Sequence, residues 1–190
     1  MTTATPAAVR SFWFSLDMDA WFRSGTALDA TVRRRFAATL RAAERGELDG
    51  WCATPEGFVA LVVVLDQFSR HVHRGKAAAY RNDARALGLA RAHAARHLPA
   101  LTAAEAMFAL MPYQHATDAR AQREGVRALA RLVAARAGKR GVGLLRQALR
   151  HQRGHLAVLE RFGRFPKRVR PRHRTPAERA YVRATPDVPY

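Results

Sequence analysis

Seven side chains of this sequence could do chemistry together: Asp66, Gln67, Arg70, His115, His155, Arg161 and Arg164. Asp66 and Gln67 close the most apolar stretch of the chain, TPEGFVALVVVLDQFSRHVHRG from Thr54 to Gly75. A carboxylate and an amide carried inside such a stretch need partners, because a polar group taken from water costs free energy unless it is hydrogen-bonded. Arg70 follows Asp66 by four residues and shares its helical face. Arg161 or Arg164 could offer a buried carboxylate the planar fork that it accepts best. Two uses of the cluster compete. It could be an Asp–Arg network that pins the C-terminal loop to the core. It could instead be a pocket whose arginines hold a carboxylate or phosphate while a histidine handles protons.

Other chemistries find incomplete motifs. His93 and His97 are four apart, as are His151 and His155, so each pair shares a helical face. The stretch His151 to His155 has the spacing of a zincin helix, but Gln152 stands where the general-base Glu is needed. No metal site or cofactor is expected. There is no Gly-rich phosphate loop, serine elbow or dinucleotide fingerprint. Cys52, the single cysteine, reads as a small apolar residue and excludes an intrachain disulfide. The segment RFGRFPKRVRPRHR, from Arg161 to Arg174, interleaves Phe162 and Phe165 with basic residues, as single-strand nucleic-acid binders do. Arg168, Arg170, Arg172 and Arg174 would carry that alternative, unless the phenylalanines are core anchors and the distal arginines solvated.

These residues require a helical frame. Thr54 can cap the central helix, Pro55 suits its first turn, and the nearly unbroken apolar run that follows predicts burial on all sides. Residues 1–8 are expected to fray. Val9 to Phe22 carries Phe12, Trp13, Phe14, Met18, Trp21 and Phe22 and should pack on the core, with Ser24 and Gly25 ending it. A helix from about Asp29, a possible N-cap, to Arg45 repeats Val32, Phe36 and Leu40 at helical spacing. Ala77 to His97 reads as one long helix. Thr102 and Glu105 form a capping box for a short helix to Met111. Thr117 or Asp118 opens a helix ending near Gly138, and Val142 to Arg161 is the next. The basic segment 161–174 is extended or irregular. Thr175 and Glu178 form a second capping box before a tail at 185–190. The expectation is an all-α, single domain over 9–184, with seven to eight helices in stacked hairpins.

Length agrees with one domain, since the chain has 190 residues and 48% of them are apolar. Its 33 basic and 15 acidic residues give a net charge of +18, which attracts polyanions. Three of the basic residues are lysine and the rest arginine, a bias that also suits a merely solvated Arg-rich surface. The first residues lack the apolar run of a signal peptide, and no run is long enough to span a bilayer. A cytoplasmic protein without membrane association is therefore expected, of unspecified oligomeric state.

Several pieces of the chain together resemble a known family. They are Trp21-Phe22, GELDGWCATPEGFVALVVVLDQFSR at Gly46 to Arg70, MPYQH at Met111 to His115 followed by Gln122, HLAVLERFGRFP at His155 to Pro166, and TPAE at Thr175 to Glu178. In this order they are similar to the bacterial family called domain of unknown function 924, from about residue 10 to 182. The resemblance implies a tetratricopeptide-like helical fold and adds Gln122 to the candidate site. It implies no reaction. Ser69 and His71 stand where the family has Pro and Asn, Thr117 where it has Glu, and Lys167 and Val169 where it has His and Asn. The function expected is binding of a small anionic molecule or an anionic peptide end at the polar cluster. The alternatives are nucleic-acid binding by the basic segment and a scaffold whose groove receives a partner peptide.

Overall fold

The computed structural model describes residues 2–22 and 25–186 and is helical throughout, with no strand among them. The helices are α1 (Pro6–Phe14), α2 (Met18–Phe22), α3 (Thr26–Glu44), α4 (Pro55–Val63), α5 (Ser69–Val72), α6 (Asp83–His97), α7 (Ala103–His115), α8 (Ala119–Ala135), α9 (Val142–Phe162) and α10 (Pro176–Ala184). Eight of these have nine residues or more, as the periodicity predicts. None of the described helices is long and apolar enough to cross a membrane.

The central element forms as expected at its start. The Thr54 hydroxyl accepts the Gly57 amide at 3.1 Å, and Pro55 occupies the first turn. Every residue from Gly57 to Ser69 is buried. Helix α4 is held by α1, α6 and α7. Its continuation departs from a regular helix: Val64–Phe68 is a π-turn before α5 resumes. The wider turn carries Phe68 into a ring cluster, with Phe36 at 4.7 Å and Trp13 at 5.7 Å. Trp13 meets Phe108 of α7 edge to face at 5.5 Å. The N-terminal rings are thus core, as their number requires, though Met18 and Phe22 are exposed.

Several boundaries differ from those expected. Helix α1 begins at Pro6 behind a Thr5 cap, so residues 6–8 are helical rather than frayed. The first helix is interrupted at residues 15–17, where Asp17 caps Ala20 at 2.7 Å. Ser24 lies outside the described residues. Asp29 does not cap α3, which starts at Thr26; its carboxylate is buried against His71 and Arg74. The segment 77–97 is a 3₁₀ turn, Ala77–Tyr80, followed by α6. Helix α7 runs past Met111 and Pro112 to His115: Pro112 gives up one amide bond and its ring crowds the Phe108 carbonyl, a cost that the burial of residues 105–113 offsets. Both capping boxes form as expected. The basic segment holds two 3₁₀ turns, Pro166–Arg168 and Pro171–His173. Phe165 is buried with Val158 and Leu159 in a small separate core, against which Phe162 and Tyr181 pack.

One glycine is fixed by packing. A Cβ on Gly57 would lie 2.1 Å from the Trp51 carbonyl oxygen. Gly57→Ala should therefore destabilise the protein by about 1–3 kcal/mol, despite the gain in helix propensity. Gly88→Ala, which meets nothing within 4 Å on α6, should stabilise by about 0.5–1 kcal/mol. Urea unfolding of the two variants checks both signs.

Candidate functional site

The π-turn sets Asp66 and Gln67 side by side at the buried end of the central helix. π-turns of this kind recur at functional sites because the extra residue redirects side chains that a regular helix would stack. Asp66 is 1% exposed. Its Oδ1 accepts the His115 Nδ1 proton at 2.7 Å, and its Oδ2 accepts Gln67 Nε2 at 2.5 Å. Arg70 reaches back one turn: Nη1 donates to the Asp66 carbonyl at 2.6 Å and lies 3.4 Å from the carboxylate. The same guanidinium pairs with Asp83 at the start of α6, with Nη2 donating to Oδ2 at 3.2 Å. Asp83 Oδ1 is 3.0 Å from Nη1 but is not aligned to accept from it.

Arg168 completes the cluster from the turn after Phe165. Its Nη1 donates to the His115 carbonyl at 3.0 Å. Its guanidinium lies over the Phe165 ring at 4.5 Å and the Tyr80 ring at 5.2 Å. Arg70 approaches the same Tyr80 ring at 5.6 Å. His155, one face of α9 away, donates Nδ1–H to the His151 carbonyl at 2.9 Å and meets Phe165 edge to face at 5.7 Å.

Burial and charge set the protonation states. Burial pushes the Asp66 carboxyl up, but the Arg70 charge and the His115 contact override it and hold the group well below the usual carboxylate range. His115 is pushed down, first by burial and then by Arg70, against the opposing pull of Asp66. It is therefore a neutral imidazole at pH 7, with the proton on Nδ1 and the lone pair on Nε2. Burial lowers His155 to about 3, with His115 and Arg168 acting in the same direction. Asp83 is pushed up by burial, with Arg70 opposing. Burial lowers Arg168 as well.

The structure thus joins Asp66, Gln67, Arg70 and His115, with His155 close by. Arg161 and Arg164 are not part of the cluster. Arg161 is exposed over the Phe162 ring at 4.9 Å. Arg164 spends its fork on Glu178, at 2.6 and 2.9 Å, and so fastens α10. The fork expected from them comes from Arg70 and Arg168. Gln122 is fully buried, and its Nε2 donates to the Gln114 and Ala116 carbonyls at 2.7 and 2.8 Å. It fixes the end of α7 that carries His115 rather than facing a ligand.

Asp83 and Tyr80 were not legible as site residues, and Arg168 was legible only as part of the nucleic-acid alternative. Arg70 and Asp83 belong to separate helices joined by a turn, so no local period announces the pair. Of the arginines grouped for nucleic acid, Arg168 is drawn into this cluster. Arg174 donates to the Pro166 and Val169 carbonyls at 2.9 and 3.0 Å and shapes its own loop. Arg170 and Arg172 are exposed.

Two of the positions that depart from the family pattern are buried and hydrogen-bonded. Ser69 accepts from Asn82 at 2.7 Å, and His71 donates Nδ1–H to Asp29 at 2.7 Å. Among the described residues, no three His, Cys, Asp or Glu side chains are grouped to hold a metal. His97 instead bonds the Cys52 carbonyl at 2.9 Å. An apolar groove of about 310 Å³ adjoins α7, lined by Met107, Leu110, Met111 and Gln114 together with Met18 and Phe22. His115 does not line it, and the polar cluster reaches the surface separately through His115, Arg70, Arg168 and Tyr80.

A family model described as a bacterial protein of unknown function (DUF924) matches residues 9–185. A solved structure of a protein of unknown function from Agrobacterium tumefaciens is 34% identical, with a TM-score of 0.82, over 94% of this chain and 97% of that one. No curated protein matches.

Proposed function

Since this chain belongs to the DUF924 family of bacterial proteins of unknown function, whose name assigns no reaction, we propose a function from the site alone: it binds a small carboxylate or phosphate between Arg168 and His115. Arg168 is the observation that carries this reading. It is a half-buried guanidinium held by a backbone carbonyl and two ring faces, with no carboxylate within hydrogen-bond distance among the described residues. A cation so placed gains most from an anionic partner. Arg70 is already balanced by Asp66 and Asp83, so it orders the site rather than binding the ligand.

Asp66 then has a defined task. It holds the His115 ring with Nδ1 protonated, which leaves Nε2 as the proton acceptor toward the ligand. Any chemistry at the site would run through that nitrogen, with Asp66 stabilising the imidazolium once formed. The nucleic-acid reading of the basic segment loses support, because Arg174 is committed to the carbonyls of its own loop and Phe165, on which a base would stack, is buried.

The test uses inorganic phosphate and acetate as probes. An anion at Arg168 should raise the apparent pKa of His115, followed by the ring-proton resonances in NMR. Arg168→Gln should weaken binding about tenfold or more, the loss of one charge-assisted contact. His115→Asn keeps a donor toward Asp66 while removing Nε2. It should leave stability within about 1 kcal/mol of the wild type and abolish the pH dependence of acetate binding near neutral pH, where acetate itself does not titrate. Histidine resonances unmoved by both anions would overturn the reading.

A further inference from the structure

The outer face of the α8–α9 hairpin carries a cluster of cations, all but one without a counter-charge among the described residues. Both helices pack their other faces inward: α8 buries Ala121, Gln122, Gly125, Leu129 and Leu132, and α9 buries Leu145, Ala148, Leu149, Gln152 and His155. Each also packs on α7. What points outward is arginine. Arg123, Arg127 and Arg131 recur along α8, and Arg146, Arg150 and Arg153 along α9, all exposed.

The register of the hairpin pairs these rows. A Cβ on Gly125 would stand 3.1 Å from the Gln152 amide group, so the antiparallel helices are level at that pair. Two residues further on, Arg127 is level with Arg150, and Arg131 with Arg146. Lys139 and Arg140, exposed in the loop that joins the helices, extend the rows past the tip.

Some arginines elsewhere are paired with carboxylates, as in Arg10–Glu105, Arg81–Glu44 and Arg91–Glu124, while others, such as Arg34 and Arg41 on α3, are exposed without an ion pair among the described residues; what sets this face apart is the two facing helices that each carry a row of them. On this face only Arg123 is paired, with Glu160 at 2.9 Å. Arg127, Arg131, Arg146, Arg150 and Arg153 have no ion-pair or hydrogen-bond partner among the described residues.

We propose that this face is a docking surface for duplex nucleic acid, held through its phosphate backbone. Successive arginines on each helix rise by about 6 Å and the helix axes lie about 8–10 Å apart, so the cations form two rows rather than one pocket. Two rows of forked donors suit a repeating line of phosphates and exceed what one small anion can engage. Of the large exposed apolar side chains, Tyr80 lies beside Arg70 and Arg168, and Met18 and Phe22 line a groove with Leu144, Gln147 and His151, on a side of α9 centred about 100° or more around the helix from Arg146 and Arg150, so none stands within the two rows. With no ring on which a base could stack, single strands gain nothing over duplex. With no apolar anchor, a lipid surface gains nothing beyond charge. Contacts to phosphate alone also mean no sequence preference.

The test measures the salt dependence of binding to a DNA duplex of about 20 base pairs. The variant changes Arg127, Arg131, Arg146 and Arg150 together to Gln. A control of equal charge changes Arg34, Arg41, Arg170 and Arg172, all exposed, to Gln. Gln keeps helix propensity, and circular dichroism confirms that both fold.

The slope of log affinity against log salt should fall by about 3–4 in the hairpin variant, one contact for each arginine, and stay near the wild-type value in the control. Equal losses in both would show charge spread over the whole surface and overturn the proposal. So would a larger loss in the control, no duplex binding by the wild type at about 50 mM salt, or tighter binding to single strands. Vesicles containing phosphatidylglycerol supply the last arm. Retention on them that exceeds duplex binding and is lost in the hairpin variant would assign the face to membrane instead.

Discussion

Arg70→Met is expected to be the most destabilising single substitution in the polar cluster, at about 3–5 kcal/mol near pH 7. Met fills much of the space of the arginine stem, so packing is a small part of the loss. The charge is the large part. Arg70 is the cation between two carboxylates, Asp66 at 1% side-chain exposure and Asp83 at 16%. Removing it leaves two like charges facing each other in a poorly hydrated site, and strips the donor from the Asp66 carbonyl. Asp66→Asn should cost less, about 1–3 kcal/mol. An amide still accepts from His115, and Arg70 keeps Asp83. The ordering of the two variants in urea unfolding is the measurement. A loss below about 1 kcal/mol in Arg70→Met, or a greater loss in Asp66→Asn, would mean that Arg70 does not hold this site together. Acid should narrow the gap between Arg70→Met and wild type, because protonated carboxylates no longer need the cation.

The same pair shows how far the sequence reaches. Asp66 and Arg70 are one turn apart inside an apolar run, so their need for each other is written locally. The helical frame was legible for a similar reason: caps such as Thr54, Thr102 and Thr175, and the spacing of Val32, Phe36 and Leu40, are local signals. The partners of the site were not. Asp83 and Arg168 reach Arg70 and His115 only after α6 and the turn at Pro166 have folded across the end of α4. Nothing in their neighbours marks them. Arg164 misled because its position beside buried Phe165 suits a buried carboxylate, and the carboxylate it finds is Glu178. The π-turn left no signal either, since VLDQF continues the apolar helix pattern without a break. Asp29 is the converse case. Its type and position fit a cap, yet the helix begins three residues earlier and the side chain serves His71.

Acid should unfold this protein through its histidines before its carboxylates. His155 is 3% exposed, and burial lowers its folded pKa to about 3. His71 and His115 are lowered as well, burial being the first cause in each. In the unfolded chain all three bind protons near pH 6.5. As pH falls below that value the unfolded state takes up protons that the native state refuses, so stability is full above about pH 6.5 and declines beneath it. For His155 alone the loss by pH 4.5 is about 2–3 kcal/mol. Asp83 acts in the opposite direction, since its raised folded pKa lets the native state bind a proton first. Asp66 enters only at lower pH, because its depressed folded pKa keeps its contribution until the unfolded carboxylates protonate. A difference of differences isolates the histidine. His155→Gln can still donate to the His151 carbonyl but does not titrate. Its unfolding free energy should change by about 2–3 kcal/mol less than that of the wild type between pH 7 and pH 4.5. Equal changes in both proteins would show that the native state lets His155 charge. An imidazole that stays neutral four residues from the surface-facing His151, beside Arg168, keeps the region around His115 free of a further positive charge. The cation available to an anion there remains the guanidinium.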